Sequence, residues 1–432
     1  MSNYVGNASS GEVADAIEES VHQLPSEDPS EGFEAVSETF DGADIIGIGE
    51  RSHGAQECFQ ERHNLVQYLI ENDNIRTLCV EMNIAAAARV DEYVRYGEGN
   101  PENVLDSDEV HPHWKSETAL EFVKWLREFN ANRDPTDQVR VYGLDCKSGR
   151  PLARDIVAFL RRVDPEFLEE VKPELEYFTE KRVDTYGSLY HRDEVDPDEY
   201  LKNWQELAPV LEARFEEQAE EFVEASSVEE YERVKHSIDM FEYTAETVVS
   251  RWNRDVQDMY DTRAKFLADT CEWVYERDNV DRVLVTAHNL HVRQGGLPEE
   301  AFGCEILSMF DRLSEQTDAD LASVGFEVGG GTFRVIDPSP DNRWEYVDLE
   351  DLSELAFPTV LSEVSGQTAV VDINEAAEHP TVEEWFDNEP ELYGLAAISE
   401  PSPVEGFSSD PRVFDLVIFS DEVNPYVDFR EE

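Results

Sequence analysis

Four short apolar runs constrain this chain most, because each ends in a polar residue able to do chemistry and helical periodicity fills the stretches between them. IIGIG leads to Glu50 and His53, TLCV to Glu81, VYGL to Asp145, and VLVTA to His288 and His291. Short β-branched and aliphatic runs bounded by helices read as buried strands of a parallel sheet. In an open α/β sheet the site lies outside the carboxyl ends of the strands, where residues distant in sequence meet. One such ending is unremarkable, since Asp and Asn commonly form turns and caps. Four of them predict a shared site.

The first run opens the stretch Ile45–Arg62, IIGIGERSHGAQECFQER. After the strand and a polar turn, the pattern becomes helical over Ala55–Asn72, with Phe59, Val66, Leu69 and Ile70 on one apolar face. Arg62 falls on that face. Turning an arginine toward a core costs several kcal/mol or so unless its guanidinium finds a carboxylate or ligand. Glu50, His53 and Arg62 are therefore expected to converge.

Taken in order, residues 1–30 read as a polar tail and a helix from Val13 to Leu24, and residues 31–150 as the first half of an α/β core. Strands are expected at Ala43–Gly49, Thr77–Met82 and Val139–Leu144. A loop with His111, His113 and Trp114 precedes a helix that Thr118 and Glu121 would open as a capping box. Trp114 is a candidate pocket-lining residue. Residues 151–278 are almost wholly helical, long and acidic, and read as an insertion serving as a lid, a pocket wall or a plain structural bundle. Residues 279–432 return to the core through strands at Arg282–Thr286, Ala322–Val328, Thr332–Ile336, Thr368–Ile373 and Phe414–Phe419, with Gly329–Gly331 as a hairpin turn. The fold class is α/β: a mostly parallel central sheet flanked by helices, carrying a large all-helical insertion.

Composition bounds the setting. The 432 residues include 98 Asp plus Glu against 35 Lys plus Arg, a formal charge of −63. A surface this acidic repels nucleic acid and anionic membrane, and itself at low salt. In molar salt the Debye length falls to about 3 Å and that repulsion is screened. With 40% hydrophobic residues spread among the acids, the chain reads as a salt-adapted protein rather than one with a disordered acidic tail. Cys58, Cys79, Cys146, Cys271 and Cys304 lack any CxxC spacing and read as free thiols. The start has no apolar signal core and no run reaches transmembrane length, which predicts a cytoplasmic protein. Its oligomeric state is open.

The residue types point to hydrolysis. A histidine paired with a carboxylate activates water near neutral pH, and a second histidine or an arginine stabilises a developing oxyanion. There is no GxSxG elbow, no cysteine beside a histidine, and nothing marks Ser52 as a nucleophile. The same Glu and His set would suit Zn²⁺ or Mn²⁺ by ligand type, but no HExxH or paired ligand motif supports one. No cofactor is expected. His22, His191, His236 and His379 sit in acidic context and read as solvated; His63 reads as a packing residue.

At these residues the chain resembles the erythromycin esterase family, also labelled succinoglycan-biosynthesis-like. The matching blocks are GIGERSHGAQECFQERHNLVQYLIEN, the strand ending in Glu81, Trp114 through LEFVKWLREFNANR and VRVYGLD, VLVTAHNLHV, and the closing FDLVIF. The resemblance implies an α/β core with a helical insertion, and hydrolysis of a macrolactone ester without a serine nucleophile. It implies His53 as the general base, Glu50 and Glu81 orienting base and water, and Arg62 in the same cluster. His288 and His291 would face them, one stabilising the oxyanion or the leaving oxygen. By their own positions, and apart from the resemblance, Trp114 and Asp145 are candidate substrate-binding residues. Two departures stand out. Arg51 replaces a usually small residue and adds a positive charge beside the base, and RAKFLADT (Arg263–Thr270) replaces an Arg-Asp pair. The alternatives are a metal-dependent hydrolase of another ester or amide, and a non-catalytic polyketide- or saccharide-binding protein.

Overall fold

The computed structural model describes residues 8–107, 109–145, 147–180, 195–277, 280–297, 303–336, 344–349, 352–395 and 404–431. His191 and Cys146 lie outside them. Twelve strands occur among the described residues: β1 (Val21–Gln23), β2 (Ile45–Ile48), β3 (Thr77–Asn83), β4 (Arg140–Asp145), β5 (Val283–Thr286), β6 (Leu321–Val328), β7 (Thr332–Ile336), β8 (Trp344–Asp348), β9 (Ala369–Asp372), β10 (Glu391–Leu395), β11 (Val404–Ser408) and β12 (Leu416–Ser420). Eight form one sheet in the order β1-β9-β12-β6-β2-β5-β3-β4. From β12 to β4 every neighbouring pair is parallel, and β9 and β1 extend the far edge antiparallel.

β2 lies inside this sheet between β5 and β6, with Gly47 in register with Val285 on one side and Ser323 on the other. Its unbroken apolar sequence has a physical cause, since both faces are covered. Ile45 enters one core with Val283 and Val285, while Ile46 and Ile48 enter the opposite core with Leu284. A strand buried on both faces has no solvent side to supply polar alternation. The helix Gln56–Asn72 follows and buries Phe59, Val66, Leu69 and Ile70 as its periodicity predicts.

Among described residues from Gly149 to Tyr275 the α-helices are Gly149–Val163, Pro165–Glu180, Pro197–Glu217, Ala219–Ala225, Val228–Asn253 and Val256–Tyr275. They share a core in which Trp204 stacks on Phe241 at 3.6 Å and Phe178 meets both rings edge to face. No helix among the described residues is long and apolar enough to cross a membrane.

Four local expectations are corrected. The first helix ends at Ile17, and Val21–Gln23 pairs with β9 as an edge strand, since backbone pairing outweighs a helical pattern that carries few buried residues. Ser116, not Thr118, caps the helix Glu117–Asn130, accepting from Ala119 N at 3.2 Å. Gly329–Gly331 is not a hairpin turn: β6 belongs to the large sheet and β7 pairs with β8 in a separate ribbon. His236 is buried, stacked on Trp273 at 4.2 Å with its Nε2 3.2 Å from Thr270 Oγ1. The aromatic neighbour was hidden in an acidic sequence context.

Candidate active site

Adjacent strands β2, β5, β3 and β4 all point their carboxyl ends to one edge, and there the four polar endings meet. The ERSHG turn is held close to the β7 backbone: a Cβ on Gly54 would meet the Arg334 carbonyl oxygen at 1.8 Å. His53 Nδ1 pairs with Glu50 Oε1, and Arg62 Nη1 donates to the other oxygen, Oε2. Burial pushes the Glu50 carboxyl up, but Arg62 and His53 outweigh it and hold it below the usual range. The guanidinium of Arg62 lies 4.6 Å from the Phe59 ring and 5.9 Å from that of Trp114. Trp114 is 3% exposed and packs behind Arg62.

With Nδ1–H directed at Glu50, the His53 lone pair falls on Nε2, which lies 3.8 Å from Glu81 Oε1. Glu81 is a hub. Its Oε1 accepts from Lys147 Nζ at 2.9 Å and Arg263 Nη2 at 2.7 Å, and its Oε2 accepts from His288 N at 2.9 Å. Asp145 shares both cations, with Oδ2 at 3.2 Å from Lys147 and 3.1 Å from Arg263. Burial raises both carboxyls, but Lys147 and Arg263 help to outweigh it, so Glu81 and Asp145 are held far below their ordinary values. Asp145 is thus joined to the cluster by charge.

The AHNLH histidines divide. His288 Nδ1 accepts from Leu290 N at 3.2 Å, which leaves its Nε2–H to donate to the Arg51 carbonyl at 3.1 Å. Both ring nitrogens are thereby engaged in the neutral tautomer, and burial pushes its pKa down to about 4. His291 has its Nε2 3.9 Å from Glu81 Oε1, and burial together with Arg263 pushes it down to about 3.

Four residues join the cluster that the sequence reading placed elsewhere or passed over. His113 stacks on His53 at 4.4 Å, and its Nδ1 lies 2.8 Å from that of His111. Burial lowers both pKa values well below the ordinary value. Lys147 follows Asp145 by two residues. Arg263 sits in the helix Val256–Tyr275, whose buried face includes Met259, Phe266 and Leu267. That arginine within an apolar stripe is the signal that identified Arg62, and it would have identified Arg263.

Arg51 directs its guanidinium to β6 and not to His53: its Nε lies 3.3 Å from Glu327 Oε1. Ser52 is buried, with Oγ accepting from Gly54 N at 3.1 Å. The buried Cys58 thiol is pushed up to about 12 by burial. Among the described residues no three His, Cys, Asp or Glu side chains are grouped to hold a metal ion, and the oxygens of Glu81 and Asp145 already take protein cations. The cluster therefore combines three carboxylates (Glu50, Glu81, Asp145), three cations (Arg62, Lys147, Arg263) and a histidine with one nitrogen turned to that charge. Such a constellation can take a proton from water and stabilise the negative charge that follows.

A sequence model of the erythromycin esterase family matches residues 70–423. A type II erythromycin esterase from Escherichia coli is 23% identical over 361 residues, covering 79% of this chain and 82% of that protein. A Bacillus cereus protein of known crystal structure superposes with a TM-score of 0.80 at 20% identity, over 97% of this chain and 99% of that one. The erythromycin esterase EreC, crystallised as a mutant in its open conformation, gives a TM-score of 0.69 at 16% identity, over 91% and 94% of the two chains. The fold is shared with both structures, and the chain belongs to the erythromycin esterase family.

Proposed function

We propose that this protein is a carboxylic-ester hydrolase, opening a small-molecule ester or macrolactone with water activated by His53 and without a Ser or Cys nucleophile or a resident metal. The observation that carries this reading is the His53 imidazole set between two carboxylates, Glu50 at Nδ1 and Glu81 facing Nε2. Glu50 fixes the tautomer that leaves Nε2 as base. Water bound there loses its proton to Nε2 as its oxygen attacks the ester carbon. The imidazolium so formed is stabilised by both carboxylates.

The oxyanion gains its countercharge from Lys147 and Arg263, with His291 beside them. Collapse of the tetrahedral intermediate breaks the C–O bond, and the His53 proton passes to the leaving alkoxide. Proton and charge thus return to their starting places, with a carboxylic acid and an alcohol as products. Preorganised charges in a site shielded from bulk water act more strongly than in solution. His53 itself is 10% exposed, so the wall over it has to admit the substrate.

The test is hydrolysis of a panel from erythromycin to simple esters in molar KCl, with ¹⁸O-water and mass spectrometry. Turnover that places one ¹⁸O in the acid, survives a chelator and disappears in His53→Ala supports the proposal. Turnover lost on chelation transfers it to a metal-dependent hydrolase. Tight binding of a lactone without turnover favours a binding protein.

A further inference from the structure

A second cluster of buried charge lies beside the candidate active site, and the reaction does not use it. Arg51, Asn289, Arg293, Glu327 and Ser409 line a small cavity whose walls include Phe326. Its volume is about 20 Å³, and a water-sized occupant needs roughly 10–15 Å³, so there is room for one. The cavity sits at the carboxyl ends of β2 and β6, with Arg51 just after the one and Glu327 near the end of the other.

The polar groups around it are unequal. Glu327 lies against Arg51, and its Oε1 also accepts from Val328 N at 3.0 Å. Asp410 is turned to Arg412, whose Nε lies 2.9 Å from both of its oxygens. Asn289 spends its amide on the backbone of Phe326 in both directions. Arg293 is different. It is 6% exposed and Nη2 donates to Ser409 Oγ at 3.2 Å, while its Nε has no hydrogen-bond partner. The carboxylate acting on it is Asp311, which already accepts from the backbone of Gly295, Gly296 and Ser308. Burial pushes the Arg293 guanidinium down to about 10, and Arg51 adds to the shift.

A buried guanidinium with an unanswered N–H bears the desolvation cost of its charge and of its donor. An apolar occupant would relieve neither cost, and a cation would increase the first. A monovalent anion relieves both, accepting from Nε and from the Ser409 hydroxyl, which takes a bond from Arg293 and keeps its own hydrogen to give. We propose that this cavity is a binding site for a single halide ion, chloride in the protein's working salt, held by Arg293 and Ser409. The site is separate from the ester chemistry, yet it touches the scaffold of that chemistry, because Arg51 lines the cavity and holds His288 through its carbonyl.

The test uses the full chain crystallised with KBr replacing KCl, and anomalous diffraction at the bromine edge. A bromide peak in the cavity against Arg293 Nε, lost in Arg293→Met or in Ser409→Ala, is the expected result. Bromide on surface arginines with the cavity empty or holding only water would overturn the proposal. A solution measurement accompanies it. Melting temperatures in KCl and potassium gluconate at equal concentration should differ by several degrees more for the parent than for Ser409→Ala. An equal difference in both proteins argues against the site, since general salt effects act on both alike.

Discussion

Arg263 and Glu81 meet at 2.7 Å although 182 positions separate them. Glu81 lies near the carboxyl end of a core strand and Arg263 comes from the last helix of the helical region, so the charge balance at the site depends on both parts of the chain. Glu81 and Asp145 both lean on this guanidinium. Arg263→Gln is expected to lower kcat by about 10²–10³, the usual effect of losing one preorganised charge. The sign of the pH effect follows from Glu81. Its carboxyl is held well below the ordinary value partly by Arg263; without that cation it takes a proton at higher pH. The acid limb of kcat/KM should therefore move up in Arg263→Gln, and a profile that merely falls uniformly would assign Arg263 a purely structural role.

Glu50→Gln tests the other side of His53. The amide keeps the shape and removes the charge shared by Arg62 and His53, leaving a guanidinium that is 2% exposed. Breaking a buried pair in this way costs about 3–5 kcal/mol, and loss of the orienting carboxylate is expected to reduce kcat by about 10²–10⁴. The parent supplies the linkage check. Glu50's folded pKa is depressed, so its stabilising contribution is fully present above the unfolded carboxylate value near 4.3. It is lost as pH falls through the lower folded value. Urea titrations from pH 7 to 3 should show that loss in the parent and its absence in Glu50→Gln.

The sheet edge was legible because its strands are buried on both faces, which leaves continuous apolar runs whose ends stand out. His53, Glu50 and Glu81 follow directly from those runs. Arg62 was legible for a different reason, as a charge within an apolar stripe. What escaped is instructive. His113 reaches His53 from a short 3-10 turn at Pro112–Lys115, and no periodicity links a turn to the ring it stacks on. Lys147 shows its role only when β3 and β4 are placed side by side. Val21–Gln23 was read as helix because a three-residue edge strand carries almost no pattern of its own.

His113 presents its face to His53, and the geometry separates packing from proton transfer. The ring stacks on His53 at 4.4 Å and on Phe59 at 5.6 Å. His113→Phe retains a flat ring in this stack, whereas His113→Ala leaves a void beside the His53 imidazole. Activity near the parent's in the Phe variant, with a loss of about tenfold or more in the Ala variant, is the expected pair of results. Equal loss in both would give the His113–His111 contact a role in moving protons.

Acid sensitivity should come from histidines that fold uncharged. His236 is pushed down to about 3 by burial, with Arg277 contributing. An unfolded histidine titrates near 6.5, so below that pH the unfolded chain takes up a proton that the folded chain refuses. Its contribution is fully present above 6.5 and declines as pH falls toward 3, by up to about 1.4 kcal/mol per pH unit. His236→Gln should flatten the pH dependence of stability by one proton in this window. His288 and His291 impose the same slope, so the variant's curve is flattened and not level.

The acidic surface predicts a salt dependence of a different kind from the halide site. A charge of −63 is spread over faces such as the helix Pro165–Glu180, where Glu166, Glu170 and Glu174 are exposed. At 0.1 M salt the Debye length of about 10 Å lets such neighbours repel, and at 1 M, about 3 Å, it does not. Melting temperature should therefore climb steeply between these concentrations in any potassium salt, with the identity of the anion secondary. Replacing Glu166, Glu170 and Glu174 by Gln removes three like charges without touching the core, and should raise stability at 0.1 M while leaving it nearly unchanged at 2 M. A gain of equal size at both concentrations would mean that helix propensity, not repulsion, governs this face, and that the excess of acid serves hydration or solubility.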